Sequence, residues 1–266
     1  MTAAATLPAR SDAHRPGPLT AEAVFIGRSL RHSLRDAEAL LMAILLPVLL
    51  MTLFTQVFGG AIAPDGGYVD YIVPGIILLC AGFGASSTAV SVARDGSTGF
   101  LDRLRTMPLR AGAVLTGHVV ASLLRNLVAT AVVIAAAVGL GFRPAAGVLE
   151  WLGIAALVSL YILAITYLFA AIGLAAGSPE AASGYGFILL FVPYLSSAFV
   201  PLDTLPGWLE PIARHQPVTP LTEALRALLD GRAPGGDAVV ALAWCVGIVT
   251  VAAVWGAALF RRRARR

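Results

Sequence analysis

The sequence predicts an all-α membrane protein with six transmembrane helices, on three observations. Hydrophobic residues make up 58% of the 266 residues and charged residues only 13%, where water-soluble domains carry roughly 45–50% and 25%. Mean hydropathy is +0.83, more apolar surface than a globule in water can bury. Uncharged runs long enough to cross a hydrocarbon core of about 30 Å, at 1.5 Å rise per residue, recur along the chain. Backbone groups in lipid must be satisfied within their own segment, so these runs read as helices.

Residues 1–18, rich in Ala, Pro and Arg, read as a disordered cytoplasmic tail without the apolar stretch of a secretion signal. Residues 19–38 form an amphipathic interfacial helix with Thr20 as N-cap. Ala23, Ile26, Leu30, Leu34 and Ala37 recur at helical spacing, and Arg28, Arg31 and Arg35 fall on another face. Such a helix lies along the inner leaflet; the alternative is a solvated arm whose arginines only fix topology.

The expected spans are 39–59, 71–93, 119–141, 151–177, 181–202 and 238–260, followed by a basic tail, 261–266. The third contains Arg125, which has two readings: snorkelling to the inner surface, or facing a wet interior and an anionic headgroup. Asp203–Asp237 is neither a simple loop nor a span, because Pro206, Pro211, Pro217 and Pro220 break it. Short helices dipping into the outer leaflet are expected there. Cys80 and Cys245 sit in apolar runs, where a thiol packs as a small hydrophobe.

Arginine asymmetry sets the orientation. With the N-terminus inside, the inner segments hold fourteen arginines and the outer segments four: Arg143, Arg214, Arg226 and Arg232. Both ends are then cytoplasmic, as an even number of spans requires. The turn at Ser178–Glu180, placed inside, carries no arginine.

Composition also excludes functions. All nineteen basic residues are arginine, which removes lysine-dependent covalent chemistry and the Walker phosphate loop. None of the six runs contains Asp or Glu, against ion-coupled transport. The chain has no G-x-S-x-G or H-E-x-x-H, against an intramembrane enzyme. No catalytic residue, metal site or nucleic-acid partner is expected. His118 and His215 have no second ligand at metal spacing and read as structural hydrogen-bonders, and Asp95 and Asp102 as local partners of Arg94, Arg103 or Arg105.

The loop after the second span carries the most information. Phe100, Leu101, Leu104 and Met107 make an apolar stripe on a short helix, with Asp102, Arg103 and Arg105 around it and Pro108 at its end. Two turns of apolar side chains in an aqueous loop call for a cover, either a soluble partner or the headgroup layer.

Three blocks resemble an ABC-2 type exporter permease of the daunorubicin-resistance group. They are Tyr71-Ile-Val-Pro-Gly75, Gly99-Phe-Leu-Asp-Arg-Leu-Arg-Thr-Met-Pro108, and Ser196-Ser-Ala-Phe-Val-Pro201 continuing through Pro206-Gly-Trp-Leu209 to His215-Gln-Pro-Val-Thr-Pro220. The resemblance implies a multi-pass permease of the cell membrane that dimerises with a second copy of itself or a related permease and recruits two copies of an ABC ATP-binding subunit, with ATP and Mg held there and no cofactor on this chain. It makes residues 19–38 an elbow helix, Phe100–Met107 the coupling helix, and Leu205–Leu229 the re-entrant pair. The implied cargo is a hydrophobic or amphiphilic drug, lipid or secondary metabolite.

Substrate-path candidates are Ser87 and Ser91 on the second span and Phe187, Phe191 and Tyr194 on one face of the fifth. Aromatic stripes of this kind serve packing or lipid contact as well as a substrate wall. Pro47, Pro74 and Pro193 permit bending or mark static kinks. Gly173 and Gly177 make a small-xxx-small pattern.

Overall fold

The computed structural model describes residues 37–62, 67–97 and 112–263. The elbow segment up to residue 36, the loop 98–111 with its coupling stripe, and residues 264–266 lie outside the described residues.

Among the described residues the chain is all helical. Helix α1 (Ala37–Leu53) continues through a π-helical stretch, Phe54–Phe58, and a last turn, Gly59–Ile62. Then follow α2 (Tyr68–Ser97), α3 (Gly112–Gly139), α4 (Val148–Ala175) and α5 (Pro179–Leu189). Beyond two 3-10 turns, Val192–Leu195 and Leu202–Thr204, come α6 (Glu210–His215), α7 (Val218–Leu229) and α8 (Gly235–Arg263). Among the described residues, five helices are long and apolar enough to cross a membrane: Leu41–Ala61, Tyr68–Ser97, His118–Gly139, Val148–Ala175 and Gly235–Leu259. Each coincides with an expected span to within a turn.

The remaining expected span, 181–202, is not one continuous helix. Ser178 caps α5, its Oγ accepting from the Ala181 N–H at 3.2 Å, with Pro179 in the first turn. The Glu180 carboxyl is held below its ordinary range by its own backbone N–H and then by Ser178. The helix stops at Leu189, four residues before Pro193, whose ring would meet that carbonyl and whose nitrogen cannot donate to it. The chain nevertheless keeps company with α2 past the break. A Cβ on Gly186 would lie 2.6 Å from Ser86 Oγ, one on Gly82 would lie 3.0 Å from Leu190, and one on Gly75 would lie 2.6 Å from the Ala198 Cβ. The segment therefore runs antiparallel to α2, at bare-backbone distance, from the level of Ser86 to that of Gly75.

Helix α2 is the spine. Of its apolar window 72% is buried, against 17% in α1 and α8, so those two form the periphery. The apolar side chains exposed on α8, among them Val239, Val246, Val251 and Val254, face outward, as lipid contact demands. Gly173 brings α4 onto α2, for a Cβ there would stand 2.4 Å from the Ala89 carbonyl oxygen. Gly177 has open space around it, so only one glycine of the expected pair packs helices.

Pro47 leaves the Ala43 carbonyl without its N–H partner. Cys80, fully buried on α2, donates its Sγ–H to that oxygen at 3.3 Å. The thiol is more than a small hydrophobe: it hydrogen-bonds a carbonyl freed inside the bundle.

Candidate functional site

Two of the sequence blocks meet at one end of α2 and build a cap. Tyr68 and Tyr71 stack with ring centroids 6.0 Å apart. Their hydroxyls donate to the carbonyls of Phe199 and Ser197, each at 2.8 Å. Thr219 reaches the same strip, its Oγ1 accepting from the Ser197 N–H at 3.3 Å and donating to the Ala213 carbonyl. Gln216 donates to the Leu195 carbonyl.

Arg226 on α7 closes the cap. Its Nη2 donates to the carbonyls of Tyr71 and Ser197 at 3.1 and 3.2 Å, its Nη1 binds the Glu223 carboxylate at 2.7 Å, and its guanidinium sits 4.0 Å above the Tyr71 ring. The planar fork and weak hydration of arginine suit a group that must stack and donate together. In the sequence Arg226 counts only as an outer charge. Its helical position, three residues after Glu223 on a short amphipathic helix, was the available signal. The 3-10 turns, α6 and α7 correspond to the short broken helices expected in Asp203–Asp237. Ten of the twelve residues of α7, Val218 and Leu221 among them, are buried, so protein covers the helix.

A buried polar seam lies further along α2. Thr88 Oγ1 donates to Ser122 Oγ at 3.0 Å, Ser122 and Thr166 hydroxyls stand 3.2 Å apart, and Asn126 Nδ2 donates to Ser122 at 3.2 Å. Helices α2, α3 and α4 thus share one hydroxyl. Gly84 makes room for it: a Cβ there would overlap the Asn126 amide. Arg125 corrects the snorkelling expectation. It is 8% exposed and donates Nη2 to the Gly84 carbonyl and to Ser87 Oγ, both at 2.7 Å. The reason is local: α2 presents a carbonyl and a hydroxyl within reach of the guanidinium inside the bundle. At the helix ends beyond, His118 Nε2 lies 3.0 Å from Asp95 Oδ2, which gives Asp95 a partner on α3 that sequence spacing did not suggest.

The substrate-path candidates separate into two groups. Ser87 receives Arg125 and donates to Gly84 O, and Ser91 donates to Ser87 O at 2.9 Å, so both hydroxyls serve the α2 backbone and the seam. Phe187, Phe191 and Tyr194 form one file although α5 ends before Phe191: ring centroids are 5.2 Å apart for the first pair and 6.1 Å for the second. The file goes on through Tyr194–Phe199 at 4.8 Å and Phe199–Phe54 at 5.4 Å to Phe58 on the π-helical stretch. Its continuation into α1 was invisible in sequence because it joins residues far apart in the chain. The coupling candidates Phe100, Leu101, Asp102, Arg103, Leu104, Arg105 and Met107 lie outside the described residues.

The blocks that form the cap belong to a pattern found in known proteins. The model of the ABC-2 type transporter family matches residues 22–229. The chain belongs to the ABC-2 type transporter family. It is 30% identical over 256 residues to the daunorubicin resistance ABC transporter permease protein DrrB1 of Streptomyces coeruleorubidus, covering 93% of this chain and 90% of that protein. It is 29% identical over 260 residues to the probable doxorubicin resistance ABC transporter permease protein DrrC of Mycobacterium tuberculosis, with 93% of each chain covered. As an ABC-2 permease it is a multi-pass protein of the plasma membrane and the membrane subunit of an ABC exporter. The family implies an ABC ATP-binding partner.

Proposed function

We propose that two copies of this permease assemble with two copies of an ABC ATP-binding subunit and expel a hydrophobic or amphiphilic compound of the drug class named for its relatives. ATP and Mg belong to that partner, and this chain hydrolyses nothing. The family match over residues 22–229, joined to a cap built from blocks that carry the resemblance, is the observation on which the reading rests.

Both chain ends lie inside. The broken segment 179–201 is the fifth crossing, because its contacts with α2 run from Ser86 up to the bond from Tyr68 to Phe199. Eighteen helical residues rise about 27 Å, close to the hydrocarbon thickness. Irregular backbone at that depth is tolerated where protein shields it, and α2 does so with glycine after glycine. The aromatic file from Phe187 to Phe58 is the wall along which a flat, apolar cargo slides, and the Tyr68–Tyr71 cap is the outer lid.

The stripe Phe100–Met107 docks in the ATPase and moves with it as nucleotide binds. ATP can bias the inward and outward states only through its different affinity for the two. Leu104→Glu puts a charge into that apolar contact. Export of a fluorescent amphiphile from vesicles is expected to stop while ATP hydrolysis by the complex and membrane insertion continue. Transport at the parental rate by that variant refutes the coupling role.

A further inference from the structure

We infer that Asp95 and His118 are positioning residues of the export cycle. Their cross-helix bond makes the inner ends of α2 and α3 move as one when the ATP-binding subunit pushes on the loop between them. His118 Nε2 lies 3.0 Å from Asp95 Oδ2, and the two side chains are only 16% and 19% exposed. Asp95 stands in the last turn of α2 and His118 on the second turn of α3. Residues 98–111 join these two helices, so the pair ties together the two roots of that loop. The placement of Asp95 is not explained by its own helix. The negative end of the α2 dipole disfavours a carboxylate in the last turn, and the bond to α3 offsets that.

The bond is the first rung, counted from the loop, of a polar ladder between the two helices. Deeper in the bundle Ser122 meets Thr88 at 3.0 Å, and Arg125 meets Ser87 and the Gly84 carbonyl, each at 2.7 Å. Residue numbers rise on α3 as they fall on α2, as an antiparallel pair requires. His118, Ser122 and Arg125 recur at i, i+4 and i+7, one face of α3. Arg94, on the same turn as Asp95, also acts on the Glu180 carboxyl of the α4–α5 turn, weakly, behind the backbone N–H and Ser178 that chiefly hold it low. The last turn of α2 is thus a junction of inner ends. Hydrogen-bonded rungs resist sliding, because a shift breaks directional bonds whose buried groups then meet no water. Without the first rung, part of each push swings the end of α3 alone and is lost to α2 and the cap. That role presupposes the reading of Phe100–Met107 as the stripe docked in the ATP-binding subunit.

The test uses the full-length permease assembled with its ATP-binding subunit in proteoliposomes, with a fluorescent amphiphile as cargo. Two quantities are read in each sample: amphiphile exported, and ATP hydrolysed in excess of the cargo-free rate. Their ratio measures coupling. Misfolding or weak assembly lowers both together and leaves the ratio unchanged, so the ratio separates positioning from mere support of the fold. Asp95→Ala and His118→Ala are each expected to lower it about fivefold, the population shift that one ordinary hydrogen bond commands. Asp95→His combined with His118→Asp re-forms the bond and moves the carboxylate towards the favourable end of a helix. That exchange is expected to return the ratio to the parental value. A parental ratio in either alanine variant overturns the inference, and where one variant fails to insert, the other decides. An exchanged pair that couples no better than the alanine variants overturns it equally. A parental complex that exports nothing when given ATP overturns the transport reading, and the positioning role with it.

Discussion

Replacing Arg226 by alanine tests whether the cap is held as described. The side chain gives one charged donor group shared between two carbonyls, worth about 2 kcal/mol net, and a cation–π contact with Tyr71 worth roughly 0.5–2 kcal/mol. Its i,i+3 pair with Glu223 adds only about 0.3–0.5 kcal/mol, because that carboxylate is 35% exposed to water. The Ser197 carbonyl keeps its bond from the Tyr71 hydroxyl, so little is left orphaned. The expected loss is about 3–4 kcal/mol. At roughly 2–4 °C per kcal/mol for a chain of this size, the melting temperature falls by about 6–16 °C. Cys80 and Cys245 are both buried and free, so a thiol-reactive fluorophore reports unfolding in detergent directly. Arg226→Lys keeps the charge, loses the fork, and is expected to recover under half of the loss. In combination with Tyr71→Leu, the alanine substitution is expected to cost less than the sum of the two, by the cation–π share. A melting shift under about 2 °C for Arg226→Ala, or strict additivity with Tyr71→Leu, refutes the assignment of Arg226 as the clasp of the cap.

Two further expectations concern close packing. Gly173→Ala drives a methyl into the Ala89 carbonyl and is expected to cost about 1–3 kcal/mol, whereas Gly177→Ala, in open space, stays within about 0.5 kcal/mol; thermal melts of the pair check the contrast. Cys80→Ala leaves the Ala43 carbonyl unmet and is expected to destabilise by about 1–2 kcal/mol, while Cys80→Ser, still a donor, loses less, as circular-dichroism melting will record.

Span placement was legible in the sequence because hydropathy is a one-dimensional signal: every long helix here is a run of apolar residues, bounded where charge returns. A bend or kink at Pro193 was expected, but not that the α-helix ends at Leu189, because the surrounding residues are apolar enough to pass for one continuous helix. Arg125 shows the complementary failure. Sequence places an arginine as the seventh residue of a span, but whether it escapes to water depends on the Gly84 carbonyl and Ser87 hydroxyl of another helix, which are far away in the chain. The cap was half legible. Its blocks stood out by composition, yet their meeting depends on Tyr71, Ser197, Thr219 and Arg226 converging from separate elements, and no local pattern encodes that convergence. The aromatic file was seen over Phe187, Phe191 and Tyr194, where residues are near in sequence, and missed at Phe54 and Phe58, where they are not.

The glycine contacts decide which parts of the permease can move. A helix pair in bare-backbone contact has little freedom to slide, since any shift drives Cα into carbonyl. Such contacts tie α2 to α4 at Gly173 and to the segment 179–201 at Gly75, while at Gly84 and Gly186 the bare backbone meets the side chains of Asn126 on α3 and Ser86 on α2. These elements are therefore expected to move as one body. On the proposed mechanism, a push delivered through the loop after α2 tilts that body as a whole, and the cap at its other end tilts with it. Ser86 and Gly186 offer the means to check. A Cβ at Gly186 would lie 3.5 Å from the Ser86 Cβ, at the short edge of disulfide geometry. Ser86→Cys with Gly186→Cys is expected to cross-link on mild oxidation and to leave export by the assembled transporter at the parental rate, because the two helices never separate during the cycle. Loss of export on oxidation, restored by reductant, means that α5 slides past α2 at each turnover, and the single-body account of the motion is then wrong.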